Sequence, residues 1–587
     1  MKRTAINRLL ALSLVAALLL LCAAPVCALE PWELQWTLQW TVPNVKVENK
    51  VCSAMQGMAA DDRCVYTVKT GGSDTYSVLI KTDMETGAQT QLAFYESESA
   101  QTATPCTVLS HANDLTAVKT GGRTALYVAT VQKGTALARL AVRGDGVYLT
   151  GWFRLLRADG TTPFAASSVT FVGASGDRLL FLVKNGLYFY GCAIPAAATG
   201  GTAADPVSVV CPRLFEIDTR NAQFYNADGS TYRVDNLETW TNQGSAFDPD
   251  TGILYVPLWN GGNDNVIILY DASPFVSAAA MTAAADSDSV LFPCNVSFRL
   301  CEPTLTTFEI ESCDFRDGQG TGGDLLLYFN NNANNVSREG IYVTNYAKNS
   351  LTLSPLVTES TVVYTVKYKA NGGQENTALD NWNRMNPTRH LGGVATNLRP
   401  NTFLAPGDDY FFRGWNLYRS SDKKWLYQRP DGTRGWYRTD KQPEDAVRAL
   451  LTDRERVADL TAINGDTFAA WAQWERRQYT VTFDPAGGIT QFDSKTLHSG
   501  DLFGMLPDAS KDGMRFEGWA LPDGTVVTAD TVFDLAADVT LTAVWTVAEP
   551  EPETQPETPQ QNDPFGIRAF FRRILEWLRS LFAPLHA

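Results

Sequence analysis

From about residue 29 to 355 the chain is a succession of short apolar runs separated by polar turns of Gly, Asp and Asn. Short apolar runs bounded by turn residues mark strands, and this region shows no long stretch with the three-to-four-residue recurrence of an amphipathic helix. Within it the chain repeats itself. QGMAADDRCVYTV from Gln56 lines up with QGSAFDPDTGILYVP from Gln243, and related units begin at His111, Ser167 and Glu309. Several are followed by a further strand pair around an Asp-x-x-Thr-Gly turn, as in VLIKTDMETGAQTQL from Val78. Strand, turn, strand and hairpin recurring every roughly fifty to seventy residues describe the blades of a propeller. Five starts predict an all-β, five-bladed β-propeller, or six blades if the stretch near Ser277 to Pro303 hides another. Leu34 to Val51 is expected to supply the strand that closes the ring.

A different repeat follows. YTVKYKANGG from Tyr364, FRGW at Phe412 to Trp415 and WAQW at Trp471 to Trp474 reappear as YTVTFDPAGG from Tyr479, FEGW at Phe516 to Trp519 and LTAVW at Leu541 to Trp545. Alternating Tyr, Val and Phe make a strand, Gly-Gly permits a turn, and each Gly-Trp pair puts a large aromatic into a small core. The pattern resembles the Listeria-Bacteroides repeat, the internalin B-repeat type of module. That resemblance implies a compact β-grasp-like fold, found in tandem on secreted and wall-associated bacterial proteins. The first copy carries an insertion between Trp415 and Phe468, expected to form an elaborated loop or a short helix around Glu444 to Asp459. Its Arg413, Arg419, Arg429 and Arg434, with Trp415, Trp425 and Trp436, suit a hydrated loop with structural tryptophans, or a stacking surface for a sugar or anion.

The boundaries read as signal peptide 1–28, propeller 29–355, repeat module one 361–476, repeat module two 477–547, Pro/Glu linker 548–563 and amphipathic helix 564–584. Lys2, Arg3 and Arg8, the apolar run Leu9 to Leu21 and Val26-Cys27-Ala28 have the order of an export signal with its cleavage site. At the far end Asp563 and Pro564 are a helix start. Phe570, Phe571, Ile574, Trp577, Leu578 and Leu581 fall on one arc, and Arg568, Arg572, Arg573 and Arg579 on the other. Such a helix suits an anionic membrane surface, a groove on an envelope partner, or packing on its own protein.

The net charge of -15 excludes a general nucleic-acid binder. Eight cysteines follow residue 28, an even number compatible with disulfides in an exported protein. Cys192 with Cys211 and Cys294 with Cys301 are the candidate pairs; no Cys-x-x-Cys spacing points to zinc.

In a propeller the innermost strand of every blade faces the axis, so residues at the blade starts converge on one mouth of the channel. Gln56, His111, Asn113, Asp114, Gln243, Glu309 and Glu311 are the candidates. Amides and carboxylates together hydrogen-bond sugar hydroxyls or hold calcium through oxygen ligands, and the same groups can instead cap their own strands. Gln-Gly before the first blade, His-Ala-Asn-Asp at the second and Glu-x-Glu-Ser at Glu309 to Ser312 resemble the propeller of helveticin-type bacteriocins and the related teichoic-acid-biosynthesis family, which implies a cell-wall context. Three functions stay open. The first is an exported envelope protein that recognises a cell-wall or host glycan without catalysis, the repeat modules acting as spacers or adhesion units. The second is a polysaccharide hydrolase using Asp114 with Glu309 or Glu311, and the third a bacteriocin-like secreted protein.

Overall fold

The computed structural model describes residues 29–197, 200–315, 326–348, 350–379 and 384–548. The expected signal segment and C-terminal helix lie outside the described residues. Two compact units divide between Glu475 and Arg476.

The first unit opens with five antiparallel sheets whose inner strands are Lys50–Ala60, Asp114–Thr120, Ser168–Ser175, Ala246–Asp248 and Phe308–Phe315. All five blade starts expected from the sequence fall at these strands. Hydrogen bonds pass from each inner edge to the next until the circle is complete. Gly57 N donates to the Ala112 carbonyl (3.3 Å) and Ser168 Oγ to Asp114 (2.6 Å). Thr170 Oγ1 donates to the Ser245 carbonyl (2.8 Å), Gly244 N to the Glu311 carbonyl (2.8 Å) and Ala60 N to Asp314 (2.8 Å). The molecule is therefore a five-bladed propeller.

The buried apolar residues tell the same story. They form five clusters, each filled by side chains from two neighbouring blades; Leu79 and Val128 belong to one, Tyr328 and Val65 to another. Each sheet thus buries both faces, which is why strands such as Cys64–Gly71 and Ile253–Trp259 are almost uniformly buried instead of alternating. The hairpin device is visible in atoms: Asp83 Oδ1 accepts from Thr86 N and Oγ1 at 2.9 Å, and Asp248 Oδ2 accepts from Thr251 Oγ1. Closure comes from Trp36–Thr41, which pairs antiparallel with Gly340–Ala347 of the fifth blade. No sixth blade lies between Ser277 and Pro303. That stretch contributes a one-turn helix, Ala278–Met281, an edge strand of blade three at Val290–Leu291 and the outer strand of blade four at Ser297–Cys301.

Downstream in the same unit is the first repeat module. Val363–Lys369 and Thr467–Arg476 run parallel at its centre, flanked by Thr388–Leu391 and Tyr410–Arg419. The second unit has the same order: Tyr479–Asp484 parallel to Val539–Val547, flanked by Ser494–Leu497 and Met514–Ala520. This is the central parallel pair of a β-grasp, with no helix laid over it among the described residues. The repeated glycines are fixed by close approach. A Cβ at Gly373 would sit 2.8 Å from the Trp474 ring, and one at Gly488 2.8 Å from the Trp545 ring. Gly414 (φ +147°) and Gly518 (φ +142°) hold backbone conformations that other residues rarely adopt, immediately before the buried Trp415 and Trp519.

The insertion contains no helix at Glu444 to Asp459. It extends the sheet through Lys424–Gln428 and Arg434–Tyr437, and Leu451 exchanges both backbone hydrogen bonds with Trp415 (2.7 and 2.9 Å). That pairing consumes the groups a helix would use, and positive φ at Arg454 and Asp459 ends any helical run. Arg413, Arg419 and Arg434 pair with Glu475, Asp422 and Glu455, and Trp415 is fully buried.

Candidate functional site

Asp114 begins the inner strand of blade two and is completely buried on the propeller axis. Its carboxylate accepts from Ser168 Oγ (2.6 Å) and Val169 N (3.2 Å) of blade three, from Ser245 N (3.3 Å) beside blade four and from Ser312 Oγ (2.7 Å) of blade five. One side chain therefore ties four blades together. Burial pushes its pKa up to about 6 against the pull of these donors and of Lys184, whose own value burial lowers to about 8. Lys184, fully buried, donates to the Gln243 carbonyl.

A second polar knot adjoins the first. Gln243 Nε2 donates to Glu309 Oε1, and Glu311 is buried two residues further along the same strand. Burial, then the charge of Glu309, raises Glu311 well above the usual carboxylate range, and burial raises Glu309 to about 7. Asn330 Nδ2 donates to the Gln56 carbonyl, and Asn113 Nδ2 to the Ser167 carbonyl (2.7 Å). The structure thus brings Gln56, Asn113, Asp114, Gln243, Glu309 and Glu311 to the blade starts, where Asn113, Asp114 and Gln243 are buried ties between strands, Glu311 is buried, Glu309 is half-buried, and Gln56 is tied through its backbone carbonyl alone. His111 is drawn aside: its Nδ1 lies 2.8 Å from Asp74 Oδ2 on a blade-one hairpin, both side chains 41% exposed. Among the described residues no group of three or more His, Cys, Asp or Glu is placed to hold a metal ion.

All eight described cysteines are free thiols. The Cys211 thiol contacts Cys192, and burial raises it. The pairing of Cys294 with Cys301 is ruled out by the strands that hold them. Cys294 N bonds to the Leu269 carbonyl, whereas Cys301 pairs with Asp264. Those partners sit five residues apart on one strand, about 16 Å, beyond disulfide reach.

Away from the axis, a cleft of about 480 Å³ lies between blade three and the first repeat module. Its floor is the pair Tyr188–Pro195 and Arg213–Ile217, and its wall is the module's edge strand Thr388–Leu391. Arg389 meets Glu216 across it at 3.1 Å. Arg220 reaches His390 Nε2 (3.2 Å), the Asn397 carbonyl and Glu238 (Nε to Oε1, 3.3 Å). A guanidinium only donates, so His390 accepts at Nε2 and is neutral; burial, then Arg220, holds its pKa well below 6.5. Sequence inspection missed this site because its residues come from two domains. The one signal was that Thr-Arg-His-Leu in module one has no counterpart in module two.

A five-bladed propeller joined to repeat modules is the class that fold and site define. Residues 479–544 match the Listeria-Bacteroides repeat domain. No curated protein matches the chain. Among solved structures, a GH43_1 enzyme from Xanthomonas citri is similar at 9% identity over 54% of this chain and 94% of its own, with a TM-score of 0.29. An exo-β-1,3-galactanase from Clostridium thermocellum is similar at 9% identity over 75% and 99%, TM-score 0.28. The PQQ-bound aldose sugar dehydrogenase from Streptomyces coelicolor gives 10% identity over 54% and 100%, TM-score 0.25. Scores this low carry no weight for chemistry, and the propeller rests on its own ring closure.

Proposed function

We propose that this is an exported bacterial surface protein that recognises a glycan or wall polymer without cleaving it, the repeat modules serving as spacers or adhesion units. The observation that carries this is the commitment of the axial carboxylates. Asp114 is spent on bonds to three other blades, Glu309 accepts from Gln243, and Glu311 is buried. Glycoside hydrolysis needs two carboxyls about 5 to 10 Å apart, both facing substrate. The Listeria-Bacteroides repeat supports a surface or extracellular location. The short motifs shared with helveticin-type and teichoic-acid-associated propellers favour a wall polymer as partner, and the Arg-rich arc from Arg568 to Arg579 favours retention at an anionic membrane.

The test is a glycan array probed with the intact protein, alongside a reducing-end assay on each bound polysaccharide. Binding without product is expected. Product release abolished by both Glu309→Gln and Glu311→Gln would establish the hydrolase instead, and no binding to any glycan would overturn recognition.

A further inference from the structure

The cleft between blade three and the first repeat module is lined by five arginines, Arg157, Arg213, Arg220, Arg389 and Arg399, against Glu216, Asp218 and Glu238. In a chain of net charge -15 that local excess of positive charge is a departure that needs a cause. Most of these cations are already employed: Arg389 by Glu216, Arg220 by Glu238, and Arg213 by Asp288. Arg157 is the exception. Its guanidinium lies 4.6 Å from the ring centres of both Phe164 and Tyr190, with Asn185 at 3.4 Å as its polar neighbour, and it makes no ion pair among the described residues. A partly exposed cation stacked on aromatic rings has its plane fixed and its edge donors available, the arrangement that receives a planar oxyanion.

Two further groups at the cleft have unused capacity. Among the described residues Thr219 Oγ1 and Glu238 Oε2 are buried without a hydrogen-bond partner, while Glu238 Oε1 faces Arg220 Nε at 3.3 Å. Buried polar atoms of this kind are normally satisfied, by protein, by water or by a ligand. Tyr188, partly exposed on the floor, carries the Arg213 guanidinium 5.5 Å from its ring centre, so a pyranose can stack only on the side away from Arg213. The size is that of a small-molecule site, placed at a domain junction where such sites concentrate.

We propose that this cleft binds a sugar carrying an oxyanion, with Arg157 as the cation that pairs with the anionic group and Glu238 and Thr219 accepting from hydroxyls. This rests on the recognition function proposed above and names the class of its ligand. The oxyanion can be the carboxylate of a uronic acid or the phosphate of a sugar or polyol phosphate polymer; the chemistry is shared.

Calorimetric titration of the full chain with trigalacturonate, with an oligomer of poly(glycerol phosphate) and with neutral galactotriose separates the cases. At least one anionic probe is expected to bind, weakening as salt rises, while the neutral one does not. Arg157→Gln should lower that affinity by about tenfold or more without moving the thermal unfolding midpoint, and Tyr188→Ala should lower it several-fold. Which anionic probe binds identifies the source. The site is overturned if neither anionic probe binds, or if both variants bind like the parent. Array binding to some glycan that survives Arg157→Gln would sink the cleft and leave recognition standing; an empty array would remove both.

Discussion

The two repeat modules share one sheet and differ in what they do with its edge. In the second, Ser494–Leu497 alternates exposed and half-buried positions, as a solvent-facing edge strand should. In the first, Thr388–Leu391 occupies the same place in the sheet but is almost wholly buried, because it forms the wall against blade three. Registered on their neighbours Tyr364 and Tyr479, His390 stands where the second module has Leu497, and Arg389 where it has Thr496. The repeated residues build the module. The residues that break the repeat decide whether its edge docks or stays in water.

The indole pair gives the largest expected effects. Trp415 and Trp519 are both buried, yet Trp519 Nε1 donates to the Pro507 carbonyl (2.8 Å) while Trp415 Nε1 has no hydrogen-bond partner among the described residues. Alanine at either position should cost about 3 to 5 kcal/mol in that module's urea transition. Phenylalanine should separate them, costing about 1 kcal/mol more at 519 than at 415. Equal losses would mean that the hydrogen bond does not distinguish the two cores.

Docking is the next test. Arg220→Ala leaves Glu238 buried without its cation and removes the bonds to His390 and the Asn397 carbonyl. A loss of about 3 kcal/mol is expected, read as faster proteolysis between blade five and module one with module two unchanged.

Acid just below pH 6.5 should act on module one through His390. His390 is buried neutral with its pKa depressed, so below pH 6.5 the undocked state binds a proton that the docked state refuses. Stability is retained above that pH and falls below it by up to about 1.4 kcal/mol per pH unit. Replacing His390 with Leu, the residue module two uses, should flatten that slope. The axial carboxyls Asp114 and Glu309 have raised values and act oppositely, losing stability as pH rises through about 6 and about 7. The smallest effect is at the exposed position of that edge: Thr496→Arg should change module two by about 0.5 kcal/mol or less.

This division also explains what could be read from the chain. Blade starts at Gln56, His111, Ser167, Gln243 and Glu309 were legible because each blade solves the same local problem with the same turn chemistry. Their convergence followed from ring symmetry. Their fate did not: whether Asp114 faces a ligand or four blades depends on Ser168, Ser245 and Ser312, serines without a pattern of their own. The choice between an elaborated loop and a short helix at Glu444 to Asp459 went the same way, decided against the helix by the pairing of Leu451 with Trp415. The cleft was out of reach, since Arg157, Glu238 and Arg389 are far apart along the chain and belong to no shared period.

The strand Trp36–Thr41 finds its partner only in the last blade, and Gln35 N reaches Asn345 across 310 residues of chain. During synthesis the beginning must therefore wait for the end. Until about residue 347 has emerged the circle stays open, and its two unpaired edges are templates for pairing with other chains. A chaperone need, or aggregation of chains truncated before that point, is the cost of fastening the circle with its first strand.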